Sequence, residues 1–188
     1  MYQFSISGAA KGESVEEGRQ LAKDLGEALA KSGHSLLTGA TSGLPNYAAE
    51  GYKAAGGKMS VGISPAASKV EHVLKYRLPT SAYDFILYTG LHYVGRDTLL
   101  ITSSDAVLSI GGRIGTLHEF AIAIETGTPI GFLHGAGGIS EEINKLMELS
   151  KPHRNNCVIY FSDSAEDLIS RLTKYLDEEN SRYLKIIN

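Results

Sequence analysis

With 188 residues, 43% of them hydrophobic and 21% charged, the chain is long enough to bury one sizeable core and too short for two, so one globular domain is expected. A formal net charge of −3 gives no general attraction for nucleic acid, and no apolar run approaches the roughly 18 residues of a membrane span, so neither partner is expected. The start, MYQFSISGAA, lacks the basic opening of a signal peptide, and the lone Cys157 in the run NCVIYF reads as a small buried hydrophobe; both point to a reducing, cytoplasmic home.

Strand character opens at residues 3–7 and leads into the loop SGAAKG, which contains Gly8. A helix is expected from Ser14, where Ser14 and Glu17 make a capping box, through Leu21, Leu25, Ala28 and Leu29 on one face to Gly33. A strand over 34–38 leads into TGATSG, with Gly39 and Gly43, and a helix over 45–55. After a strand at 59–64 comes the longest irregular stretch, 65–82, with two prolines, Tyr76 and Arg77, which reads as either a lid or a crossover. The series continues with strand 84–89, a helix over 93–102 carrying Arg96, strand 105–110, the loop IGGRIG, and a helix over 116–126. It closes with strand 129–133, helix 140–149, strand 157–161 and a helix over 163–177 capped by Asp163 with Glu166, leaving 179–188 as a C-terminal tail.

Strand and helix alternate throughout, connections are short, and the strands are apolar almost end to end. That is the pattern of a mostly parallel sheet covered by helices on both faces. The expected fold is therefore α/β, a single doubly wound, Rossmann-like domain over residues 1–188. Ligands of such sheets bind beyond the carboxyl ends of the strands, and all three glycine loops fall on that rim.

The stretch SDAVLSIGGRIGTLHEFAIAIETGTPI, residues 104–130, holds the most chemistry. A helix N-terminus leaves backbone N–H groups unpaired at the positive end of a dipole, and glycines there let a phosphate approach. Gly111, Gly112, Gly115 and Thr116 suit that role, although the loop is neither a Walker A nor a G-x-G-x-x-G motif. Locally, Thr116 to Glu119 is also a T-x-x-E capping box, so Glu119 reads as a helix cap or as a carboxylate facing a ligand. Arg96 reads as a partner for Asp97 or Asp105, or as a grip on phosphate or ribose. The six histidines are scattered outside any ligand spacing, so no metal is expected. Neither a G-x-S-x-G elbow nor an activated cysteine is present.

Together these residues resemble the Lonely guy proteins, often mislabelled lysine decarboxylases, and the molybdenum cofactor carrier proteins. The shared hallmark is P-G-G-x-G-T-x-x-E. Residues 111–119 read GGRIGTLHE, with Gly111 for the proline, Arg113 for the second glycine, and matches at Gly112, Gly115, Thr116 and Glu119. GRDTLLITSSDAVLSI supplies the family's arginine as Arg96, followed by Asp97 where carriers commonly have asparagine, and TGATSG has Ala40 at a usual glycine. The resemblance spans residues 4–131.

It implies a usually dimeric nucleotide-binding fold. Catalytic members are phosphoribohydrolases, which cut a nucleoside 5'-monophosphate into free base and ribose 5-phosphate; their functional arginine and glutamate correspond to Arg96 and Glu119. Gly8, Gly39, Gly43, Gly111, Gly112, Arg113, Ile114, Gly115 and Thr116 are then the ligand-binding set. No cofactor is required for that hydrolysis. In the carrier reading the ligand is a phosphorylated pterin, the molybdenum cofactor, or a nucleotide. Apolar residues on two faces of the 116–126 helix point to a homodimer through it or its neighbour.

Overall fold

A computed structural model of the chain describes residues 1–150 and 157–187. The strands are β1 (Gln3–Gly8), β2 (Ser35–Thr38), β3 (Ser60–Ser64), β4 (Phe85–Tyr88), β5 (Ala106–Ile110), β6 (Ile130–Leu133) and β7 (Ile159–Ser162). They form one sheet in the order β4-β3-β2-β1-β5-β6-β7, and every neighbouring pair is parallel. From β1 the chain steps outward through β2, β3 and β4, then returns to lay β5 along the other side of β1. The winding direction therefore reverses between β1 and β5, whose carboxyl ends meet where Gly8 lies opposite Ile110. This is the α/β, doubly wound, Rossmann-like fold expected.

The helices are α1 (Glu13–Glu17), α2 (Arg19–Lys31), α3 (Leu44–Ala54), α4 (His92–Thr102), α5 (Ile114–Thr126), α6 (Ile143–Ser150) and α7 (Ala165–Ile187). Alternate strand residues feed two cores. Phe4, Ile6, Leu36 and Leu108 pack with Leu25, Leu29, Tyr52 and Leu172 on the α2, α3 and α7 side. Val107, Ile130 and Phe132 pack with Phe120, Ile124 and Met147 on the α5 and α6 side, while Leu37 and Ile63 meet Leu100 of α4. Each large apolar side chain so buried contributes roughly 1.5–3 kcal/mol. Two small residues let α2 and α3 touch: a Cβ on Gly26 would lie 1.9 Å from the Ala48 carbonyl oxygen, and one on Gly51 2.1 Å from that of Lys23.

Several local expectations are corrected. The helix read from Ser14 to Gly33 is two helices, broken at Gly18, where a Cβ would meet that of Ala136 at 2.7 Å. Helix α1 begins after Gly12 with no side-chain cap, so the Ser14 and Glu17 box does not form. At α7 the cap is Ser164 rather than Asp163: the Asp167 N–H donates to Ser164 Oγ at 3.2 Å. The segment read as a tail continues α7 as far as Ile187. The 140–149 helix opens with a 3-10 turn, Gly138–Glu141. Of the two readings of the 65–82 stretch, the structure gives the crossover from β3 to β4, which contains a π-helical turn, Glu71–Lys75. Buried His72 pins that turn through Ser64 Oγ at 2.8 Å and the Pro79 carbonyl oxygen at 3.0 Å.

Candidate functional site

Where the winding reverses, the loops after β1 and β5 diverge, and a cleft of about 400 Å³ opens between them. Its walls are residues 8–11 after β1, Gly39 and Thr41 after β2, Tyr93, Arg96 and Asp97 of α4, and residues 113–116 with Glu119 at the start of α5.

Helix α5 starts at Ile114 with Arg113 as N-cap, and the first intrahelical bond runs from the Leu117 N–H to the Arg113 carbonyl at 3.0 Å. The amides of Ile114, Gly115 and Thr116 thus precede the helical ladder and stand at the cleft wall as donors at the positive end of the dipole. The expected Thr116 and Glu119 capping box is not there, because the helix begins two residues earlier; Glu119 lies beyond the first turn and faces the cleft. Gly115 is informative: a Cβ there would meet no protein atom within 4 Å. Glycine within a helix costs up to about 1 kcal/mol relative to alanine, and here it opens space in the cleft alone.

Gly111, Gly112 and Gly43 stand behind this wall. The carbonyls of Gly111 and Gly112 accept from the Ser140 and Ile139 amides at 3.3 and 3.0 Å, and Gly112 lines a neighbouring crevice that shares Arg113 with the cleft. Gly111 has φ +59°, whereas a proline ring holds φ near −65°, so this loop departs in backbone geometry from the P-G-G pattern. Arg113, at φ −138°, is extended and has no need of glycine. Gly43 allows the loops after β1 and β2 to meet, since its Cβ would lie 2.3 Å from the Ala9 carbonyl oxygen.

At the floor, Arg96, Asp97 and Glu119 are 4%, 5% and 7% exposed. Arg96 Nη1 lies 3.3 Å from Asp97 Oδ1 and 3.5 Å from Glu119 Oε1. The Ser7 hydroxyl donates to Glu119 Oε2, and His118 Nδ1 bonds Asp97 Oδ2 at 2.8 Å. The guanidinium rests on the β2 loop so closely that a Cβ on Gly39 would lie 1.9 Å from Nη1. Arg96 Nε is buried and has no hydrogen-bond partner among the described residues. Burial pushes the Glu119 carboxyl up to about 7; Arg96 and the Ser7 hydroxyl oppose the rise and Asp97 adds to it. At the mouth, exposed Lys11 and Arg113 form no salt bridge among the described residues. The cleft is polarised, with free cations and helix amides above and one arginine shared by two carboxylates below.

The structure brings Arg96, Glu119, Gly8, Gly39, Arg113, Ile114, Gly115 and Thr116 to one cleft. Reading the residues missed Ser7, Lys11, Thr41 and Tyr93 and left His118 without a role; of the two acids it offered as partners for Arg96, Asp97 is the one that pairs with it. Lys11 had a signal, a cation in a glycine loop after a strand; Ser7 depended on which face of β1 it occupies. Asp105 is not the arginine's partner, because it accepts from the Gln3 amide at 2.7 Å. Among the described residues, no cluster of His, Cys, Asp or Glu side chains could hold a metal, and no helix is long and apolar enough to cross a membrane.

The model of the SLOG cluster4 family matches residues 1–169. The chain belongs to this family. An uncharacterized protein of Archaeoglobus fulgidus is 33% identical over 133 residues, 71% of this chain and 80% of that one. Among solved structures, the molybdenum cofactor binding protein of Rippkaea orientalis superposes with a TM-score of 0.71 at 28% identity, covering 93% of this chain and 97% of that one. The molybdenum cofactor carrier protein of Chlamydomonas reinhardtii gives 0.73 at 25% identity, covering 94% and 98%. The resemblance to the Lonely guy and carrier proteins, read from the motif around Glu119, agrees with these matches.

Proposed function

We propose that this cleft binds a phosphorylated nucleoside and that the protein is a nucleoside 5'-monophosphate phosphoribohydrolase. The observation that carries the reading is the buried Arg96 and Glu119 pair on the floor beneath the free amides of α5. The phosphate is held by the amides of residues 114–116 with Lys11 and Arg113, which directs the ribose toward the floor. Breaking the C1'–N bond builds positive charge on the sugar ring, and Glu119 faces it as a stabilising carboxylate. Glu119 accepts a proton from the attacking water as its oxygen bonds C1', and that proton is returned to the departing base. A carboxyl poised near neutrality suits such an exchange. Arg96 holds the substrate in register, and no cofactor takes part.

The test is incubation with a panel of nucleoside monophosphates and chromatography of the products. Free base and ribose 5-phosphate are expected from the wild type, with turnover about 100-fold lower in Glu119→Gln while binding survives. Undiminished release in that variant would remove Glu119 from the mechanism.

A carrier reading is favoured by one observation, the similarity to the two molybdenum cofactor proteins. The residues fit such a cargo, with Lys11, Arg113 and the α5 amides for its phosphate and the floor carboxylates accepting from pterin N–H groups. Tight binding of a nucleotide or pterin without release of base would decide for this reading. We also read the protein as a homodimer through the α4 side. Phe85 and Leu87 of edge strand β4 are exposed, as are Leu74, Leu91 and Val94 nearby, whereas α5 buries Phe120, Ala123 and Ile124. Light scattering at micromolar concentration should give twice the chain mass.

A further inference from the structure

Arg96 is one cation facing two carboxylates. Its Nη1 is 3.3 Å from Asp97 and 3.5 Å from Glu119, so neither acid has it to itself. Each acid has its other oxygen held from elsewhere: His118 Nδ1 bonds Asp97 Oδ2 at 2.8 Å, and the Ser7 hydroxyl donates to Glu119 Oε2. His118 in turn belongs to α5, one residue before Glu119, so the pair also ties α4 to α5 beside the acting acid. Asparagine at this position would offer the same shape without the charge.

We infer that Asp97 is a positioning residue: anchored by His118, it draws Arg96 partly off Glu119 and leaves Glu119 as the proton-exchanging group of the cleft. The surroundings of Glu119 are otherwise few. Ser7 of β1 donates to it, Arg96 and Asp97 face it from α4, His118 adjoins it on α5, and Lys11 and Arg113 lie at the mouth. Tyr83, whose hydroxyl accepts from Thr38 Oγ1 at 2.9 Å, feels the Arg96 charge but keeps its proton, pushed up to about 12 by burial. Burial is the larger cause of the raised proton affinity of Glu119; among the described residues facing the cleft, Asp97 is the negative charge that adds to it.

This rests on Glu119 being the acting acid, and its test reads the proton rather than turnover, so a protein that only carries its ligand would still answer it. The protein is labelled with carbon-13 at the glutamate side-chain carboxyls, and the Glu119 resonance is assigned by its loss in Glu119→Gln. In the wild type it is expected to titrate near neutrality. Asp97→Asn should lower the midpoint by about one pH unit or more, the size of effect a neighbouring charge produces. Asp97→Ser, also uncharged, should lower it likewise, and Asp97→Glu, which restores the charge, should return it toward the wild-type value. Thermal melts of each variant separate this from a structural role: a folded Asp97→Asn or Asp97→Ser with an unchanged or higher Glu119 midpoint would overturn the assignment. If the protein is a hydrolase, the acidic limb of its pH profile should move down with the same midpoint.

Discussion

Replacing Glu119 by glutamine should make the protein more stable at alkaline pH while lowering turnover. The folded carboxyl holds its proton up to about 7, whereas in an unfolded chain it releases it near the ordinary glutamate value of 4.5. Between those values the folded state binds more protons, so stability falls as pH rises through this window and remains lower above it. The difference corresponds to about 3 kcal/mol at most, set by the desolvation of a side chain only 7% exposed. Glutamine keeps the shape of the protonated acid and carries no charge to desolvate, so the variant escapes this cost. For a chain of this length 1 kcal/mol moves Tm by about 2–4 °C, so the variant should melt above the wild type at about pH 8, by about 12 °C at most. Below about pH 4.5 both proteins have a neutral side chain there, and the gap should close. Calorimetry or circular dichroism at the two pH values checks this. A Tm difference independent of pH, or a variant that melts lower at about pH 8, would refute the reasoning.

Gly39→Ala should weaken nucleoside monophosphate binding as much as Arg96→Ala does, because the added methyl occupies the place of the guanidinium; calorimetric titration showing wild-type affinity would contradict it. Gly115→Ala should raise stability by roughly 0.5–1 kcal/mol, since it adds helix propensity without meeting any protein atom, yet weaken ligand binding about tenfold or more. Urea unfolding and titration of one preparation read both effects, and unaltered affinity would mean that the ligand does not use this wall. His34 is buried with Nδ1 accepting from the Tyr2 amide at 3.2 Å and Nε2 bonded to Thr173 Oγ1 at 2.9 Å, and burial holds its pKa below the usual 6.5. Its contribution is present above about pH 6.5 and lost as pH falls through the lower folded value, so the urea midpoint should drop on acidification less steeply in His34→Asn than in the wild type.

Periodicity and punctuation in the amino-acid order determined the alternation of strands and helices, their parallel sheet, and the rim to which the glycine loops belong. These follow from local apolar spacing and from the short connections that only a doubly wound sheet accommodates. Arg96 and Glu119 were legible through a motif, though the capping box that seemed to explain Glu119 locally is not formed. Packing decided the rest. The break falls at Gly18, where only glycine fits because a Cβ would meet Ala136, more than a hundred residues away, and Ser14 could not announce it. Likewise, Ser7, Asp97 and His118 come from three elements, and their bonds to Glu119 and to one another exist only because β1, α4 and α5 converge where the winding reverses. Burial, which raises the proton affinity of Glu119, belongs to that convergence too: a carboxylate loses its water only when the surrounding elements close over it.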